Sequence, residues 1–117
     1  MDAPKIGTAI PKRRYQIGEY GAVILGEVES RDARSYTFVL ALTRDGDSQP
    51  CLFVTSEQNP PAERADGSNR LRVVADNGEK ILGSSDGLTD LDNFTTVGLG
   101  IVRQLFKLDD EQETRLL

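Results

Sequence analysis

The 117-residue chain contains no histidine, no tryptophan and a single cysteine. Without imidazole there is no Ser-His or Cys-His pair, no HExxH motif and no histidine metal cage. The lone Cys51 excludes an intramolecular disulfide, and with it the stapled scaffolds of small secreted domains. Long apolar runs are also missing. The longest strongly apolar stretch, Phe38 to Leu42, is five residues, against the roughly 20 that a membrane-spanning helix needs. Near the N-terminus Pro4, Lys5 and Gly7 interrupt the segment from Ala3 to Ile10, so it does not read as a signal peptide. A cytoplasmic protein with no membrane association is therefore expected, and the Asn93-Phe94-Thr95 sequon is read as chance. Basic residues are the minority, 14 against 19 acidic for a net charge of −5, which disfavours nucleic acid as a partner.

What is present suffices for one core. Leu, Ile, Val and Phe number 31 of 117 residues, above the ~20% level below which chains stay disordered. A chain of this length forms one domain and buries roughly two-thirds of its unfolded surface. Composition divides it into an extended N-terminal arm over 1–12, a single domain over 13–108, and an acidic tail or short helix over 109–117. The arm is punctuated by Pro4, Gly7 and Pro11, with Ile6 and Ile10 available to pin it to the body.

From Arg13 onward the pattern is one of short strands. Ala22 to Leu25 is a compact apolar run continuing to Val28, and Glu29 to Arg34 reads as a charged turn. Tyr36, Phe38, Leu40 and Leu42 then fall on one face of a period-two strand, with Thr37, Val39 and Ala41 on the other. Asp45-Gly46 is a favoured two-residue hairpin turn. With Arg44 opposite Asp47, counting outward sets Phe38 against Phe53, Val39 against Leu52 and Leu40 against Cys51. Pro50 cannot donate to a ladder and is expected at an edge or a strand start. A second hairpin follows, with Asn77-Gly78 as its turn, Val74 opposite Ile81 and Val73 opposite Leu82. Between the hairpins, Glu57 to Asn69, with Pro60-Pro61 and Gly67-Ser68, reads as a long irregular loop, and such loops are functional or mobile. Both hairpins carry apolar residues on both faces. A sheet wetted on one side alternates more cleanly. So either the sheet curls, or its second face is covered by a helix or by another subunit.

The period changes after Thr89. On a helical wheel Leu91, Phe94, Val97, Gly98, Ile101, Val102, Leu105 and Leu108 gather on one face. Thr89 and Asp92 resemble a capping box, and a strand over 94–102 is the alternative because Thr95-Thr96-Val97 has β character. Gly98 lies on the apolar face, where it permits close approach to the sheet; Gly100 lies on the polar face with no packing role. The fold expected is α+β, an antiparallel meander of about six strands, flat or curled into a barrel or half-barrel, followed by one main C-terminal helix. That order resembles the pleckstrin-homology-like barrel in outline, without the C-terminal tryptophan often found there, and the resemblance implies a curled sheet and nothing about ligands.

The candidate ligand site is the loop Gly83, Ser84, Ser85, Asp86, Gly87 and Thr89 leading into the helix, where small residues at a helix N-terminus expose amides to an anion. A tight turn followed by a helix cap explains the same residues. Asp86, Asp90, Asp92 and Asn93 offer oxygen to a hard cation but lack the spacing of a calcium loop, so no metal or other cofactor is expected. Cys51 is placed as a buried small residue in a strand, and Lys12-Arg13-Arg14 as a solvated strand entrance. No catalytic constellation emerges, since Asp90 and Asp92 diverge on a helix. The expectation is a non-catalytic protein-interaction or assembly module, partnered by a second copy or by another protein. A small-ligand or anion binder, built on the 83–90 loop with the Pro-Pro loop as its rim, is the alternative. A carboxylate- or metal-dependent enzyme comes last.

Overall fold

A computed structural model of the chain describes residues 2–107 and 114–116. Six strands follow one another as an antiparallel meander: β1 (Ile6–Ile17), β2 (Tyr20–Ser30), β3 (Tyr36–Arg44), β4 (Leu52–Gln58), β5 (Asn69–Ala75) and β6 (Gly78–Ser85). Helix α1 (Leu91–Leu105) comes next, and a three-residue strand, β7 (Thr114–Leu116), pairs with β1. The sheet order is β6-β5-β4-β3-β2-β1-β7, and the sheet does not close into a barrel. Segment 94–102 is therefore helix, and the period-3.6 stripe outweighs the β character of its threonines.

Both termini of the expected organisation change. The segment expected as an arm over 1–12 is strand from Ile6 onward, paired with β2 from Ser30 back to Tyr20. Three register shifts along the β1–β2 pair, with extra residues at Gly7 and Lys12 on β1 and around Glu27 on β2, let the strands bend, and Pro11 keeps its place opposite Leu25. Of the expected tail or helix over 109–117, residues 114–116 are strand, while 109–113 lie outside the described residues.

The two hairpins form with registers other than those counted. Arg44 O does accept from Asp47 N at 3.0 Å, closing the turn at Asp45-Gly46. The chain nevertheless does not return at once. Pro50 lacks an N–H, the first return bond is Cys51 N to Leu42 O at 2.8 Å, and β4 begins at Leu52. Leu42 thus faces Leu52, Leu40 faces Val54, and Phe38 faces Ser56, not Phe53. This slip of three residues is odd, so Phe53 moves to the opposite face from Phe38. In the second hairpin Ala75 pairs with Gly78 and Val74 with Glu79, so the turn residues are Asp76-Asn77. Both keep negative φ and the positive φ falls on Gly78 at 124°. A type I′ turn at Asn77-Gly78 would instead force Asn77 to positive φ. The Glu57–Asn69 stretch is shorter as a loop than its composition suggests, because β4 extends to Gln58 and a 3₁₀ turn occupies Pro61–Asp66.

The main core lies between the sheet and α1. Ile17, Ile24, Leu40, Leu42, Val54, Phe94 and Val102 are all buried there. Phe94 stacks on Phe38 with ring centroids 5.4 Å apart, the aromatic pair that takes the place of the expected cross-strand one. Gly98 is buried, and a Cβ there would stand 3.0 Å from Leu40 Cδ1, which is why the helix needs glycine to approach β3. Asp90, not Thr89, caps the helix: its Oδ2 accepts from Asn93 N at 2.8 Å. On the other face Tyr36, Val39, Phe53 and Val74 form a smaller buried cluster, with Ala3, Ile6, Leu25 and Val28 packed around it. Part of the second sheet face is thus buried within the chain, with Ala3 and Ile6 of the N-terminal segment packed against the cluster.

Candidate functional site

The expected loop at 83–90 is only partly loop: Gly83, Ser84 and Ser85 end strand β6 in pairing with β5, Asp86–Thr89 is a 3₁₀ turn, and the polar groups of the segment are engaged within the chain. Ser84 Oγ accepts from Asn59 Nδ2 at 3.0 Å, and Ser85 Oγ caps Gly87 N at 3.0 Å. Asp86 Oδ1 accepts from Ser68 N at 2.7 Å, and Thr89 Oγ1 donates to Asp86 O at 2.9 Å. Gly67, at φ 147°, abuts the loop so closely that a Cβ would lie 2.5 Å from Ser85 N. The two loops expected to rim a ligand are therefore brought together and latched to each other. Gly83 supports this by taking φ 157° opposite Leu71, where β6 bulges.

The remaining sequence candidates are equally local. Among the described residues no three of His, Cys, Asp or Glu converge as metal ligands. Cys51 sits just before β4, half-buried, with its thiol donating to Leu42 O at 3.5 Å, and burial pushes its pKa up. Of the basic cluster, Lys12 pairs with Glu27 at 2.5 Å and Arg13 pairs with Asp92, tying β1 to the start of α1.

A buried charge network on the second face escaped the sequence reading. Glu57 on β4 and Arg72 on β5 each have a side chain only 1% exposed. Arg72 Nε pairs with Glu57 Oε2, its Nη1 with Glu79 Oε2 at 2.6 Å, and its Nη2 donates to the Tyr36 hydroxyl at 3.3 Å. Thr55 Oγ1 donates to Glu57 Oε2 at 2.6 Å, while Arg34 and Arg70 reach Glu57 Oε1 at 3.1 and 3.4 Å. Tyr36 in turn donates to Asp32 Oδ2 at 2.8 Å. Burial works to raise the Glu57 pKa, but the hydrogen bonds from Thr55 and Arg72 and the arginine charges outweigh it, and the net shift is downward. Burial, then the bond to Asp32, drives the Tyr36 hydroxyl well above its usual value. Glu57 and Arg72 are therefore both ionised at neutral pH. The sequence signal was Arg72 between Leu71 and Val73, a charge set within the apolar part of β5.

The surface left incomplete is the β6 edge. Four large hydrophobic side chains are conspicuously exposed among the described residues, and three of them lie here: Ile81 at 52%, Leu82 at 45% and Leu105 at 54%. Leu82 and Leu105 line a groove of about 610 Å³ between β6 and the C-terminal half of α1, floored by Leu52, Val73, Ala75 and Ile101. β6 has β5 on one side and, among the described residues, no strand on the other. No protein-family model, curated protein or solved structure matches the chain.

Proposed function

We propose that the protein is a non-catalytic assembly module that pairs with a second copy of itself through β6. The observation that carries this reading is the concentration of exposed Ile81, Leu82 and Leu105 along one unpaired strand edge and its adjoining groove. An edge strand offers a row of unpaired backbone donors and acceptors, and apolar side chains beside it add the area that makes such pairing specific. The apolar surplus of the two hairpins is thereby reassigned: the second face buries its share within the chain, and the remainder stands at the edge.

Self-pairing has a preferred register. A two-fold axis normal to the sheet keeps each face continuous, so one residue of β6 must lie opposite its own copy. Centring on Lys80 or on Glu79 would place like charges face to face, which destabilises a pair. Centring on Ile81 places the two Ile81 side chains together and sets Lys80 beside Leu82 of the partner subunit. The bulge at Leu82–Gly83 limits the regular pairing to a short segment, so the contact relies on the groove as well.

Sedimentation velocity over a concentration series from about 1 to 500 μM, a range that covers typical weak dimers, tests the proposal. A monomer–dimer equilibrium is expected for the natural chain, and a monomer for Ile81→Lys and for Leu82→Glu combined with Leu105→Glu. A monomer at every concentration, or dimerisation that both variants leave intact, overturns it. No helix among the described residues is long and apolar enough to cross a membrane.

A further inference from the structure

Away from the β6 edge, three arginines converge on one small cleft. It has a volume of about 260 Å³ and lies between the β2–β3 turn and the Pro60-Pro61 turn, with Arg34, Arg64, Arg70 and Glu57 among its lining residues. Glu57, 1% exposed, is the one carboxylate in that lining, and it is already shared with Arg72 from beneath. Its Oε1 therefore serves both Arg34 and Arg70 at 3.1 and 3.4 Å. Glu63 lies at the rim, 3.9 Å from Arg70 and 58% exposed, so it screens the cleft weakly. Asp32 accepts from Tyr36, Arg34 N and Lys5 N; it is outside the cleft lining but offsets part of the Arg34 charge.

The donors outnumber what the chain supplies. Arg64 is exposed and engages one partner among the described residues, its Nε donating to Asn59 O at 3.2 Å, with neither Nη group bonded to a described residue. Arg70 Nε is buried and has no hydrogen-bond partner among the described residues. A buried guanidinium N–H left unpaired is costly, and planar guanidinium forks match the oxygens of carboxylate and phosphate. Arg34 and Arg70 share the Glu57 carboxylate and Arg64 lines the same cleft, which leaves a local excess of positive charge, set within a chain of net charge −5. A dianion with three free oxygens answers both the charge and the number of donors, where a carboxylate answers neither in full.

We infer that this cleft binds a phosphate group, either the free ion or the phosphate of a small ester. Arg64 and Arg34 hold the oxygens from opposite walls, and Glu57 positions Arg34 and Arg70 without meeting the ligand. Pro60 and Pro61 fix the turn that carries Arg64, because their φ values are restricted before any ligand arrives. This site is separate from the β6 edge, and its occupancy is independent of self-association.

The test is a titration of the intact protein with inorganic phosphate, followed by amide chemical shifts, with sodium chloride at matched ionic strength as control. Saturable shifts are expected at Ser35, Gln58 and Arg64 and not in chloride. Arg64→Gln replaces an exposed side chain, so it leaves the fold intact, and it is expected to weaken phosphate at least about tenfold, as loss of one charged hydrogen bond does. Phenyl phosphate run in parallel separates the two sources: tighter binding than the ion assigns the site to an ester, and weaker binding assigns it to the free anion. Absence of saturation by about 20 mM phosphate, well above a millimolar dissociation constant, overturns the inference. So does binding that Arg64→Gln leaves unchanged.

Discussion

Replacing Glu57 by glutamine removes one charge from the centre of the second-face network and leaves its shape. Arg72, 1% exposed, then retains Glu79 at 2.6 Å and the Tyr36 hydroxyl, but Glu79 is 43% exposed and is itself drawn toward water. Breaking a buried ion pair from one side costs about 3–5 kcal/mol. Because Glu79 stays and the amide oxygen still accepts, the lower end applies, about 3 kcal/mol. Arg34 and Arg70 are partly exposed and add little. With a slope of 1–3 kcal/mol/M, urea unfolding at pH 7 should show a midpoint lowered by about 1–3 M at unchanged slope. The pH dependence has a definite sign. Glu57 is depressed below its ordinary 4.5, so the unfolded chain binds more protons there and stability rises with pH. That contribution is complete above about pH 4.5 and is lost as pH falls through the folded value. Asp32, also depressed because its hydrogen bonds from Arg34 N, Tyr36 and Lys5 N outweigh its burial, adds a second loss of the same sign. Glu57→Gln should therefore flatten the acid limb without abolishing it. Joint replacement of Glu57 and Arg72 by Met should be less damaging than either single change, since no charge is then left buried. A Glu57→Gln protein within about 1 kcal/mol of the natural chain, with an unaltered acid limb, would refute the assignment of this pair as a tightly coupled buried unit.

The two helix glycines should behave oppositely. Gly100 faces open space and Gly100→Ala should stabilise by up to about 1 kcal/mol, whereas Gly98→Ala drives a methyl against buried Leu40 and should lower the melting temperature despite the same gain in helix propensity. Gly67→Ala should destabilise by more than about 1 kcal/mol, because the φ of 147° and the nearby Ser85 backbone both exclude a side chain; a neutral thermal melt would contradict the latching of the two loops. Cys51 in the folded protein should react with a thiol reagent at pH 7 at least about tenfold more slowly than in urea, since burial raises its pKa; equal rates would place the thiol in open solvent.

The α+β meander and its closing helix were legible because periodicity survives in single segments: alternation in Tyr36–Leu42, and the wheel from Leu91 to Leu105. Register was not, because it depends on a single missing donor. Pro50 delays β4 by three residues and so moves Phe53 to the face opposite Phe38. Likewise the second turn sits at Asp76-Asn77 because one positive φ at Gly78 is less demanding than two. Of the segment 83–90, Asp86–Thr89 forms the turn leading to the helix while Gly83–Ser85 continues β6, and its chemistry depends on Asn59 and Ser68 from a distant loop, which no local pattern reveals. The Glu57–Arg72 pair is separated by fifteen residues and becomes visible only once β4 and β5 are in register. The apolar residues on both hairpin faces called for cover on the second face from a curl, the helix or another subunit, whereas the N-terminal Ala3 and Ile6 pack there; Ile6 pins its segment as expected and Ile10 stays exposed.

Self-pairing of β6 about Ile81 makes the sharpest structural demand, and a cysteine at that position tests it directly. Residues opposite one another in antiparallel strands have Cα atoms about 4.5 or 5.5 Å apart, both within the range that a disulfide spans. With Cys51 first replaced by Ala, Ile81→Cys should oxidise to a disulfide-linked dimer, while Ser48→Cys, an exposed position in the β3–β4 loop, should form no disulfide-linked dimer under the same conditions. Cross-linking of Ile81→Cys no greater than that of Ser48→Cys would contradict assembly through this edge.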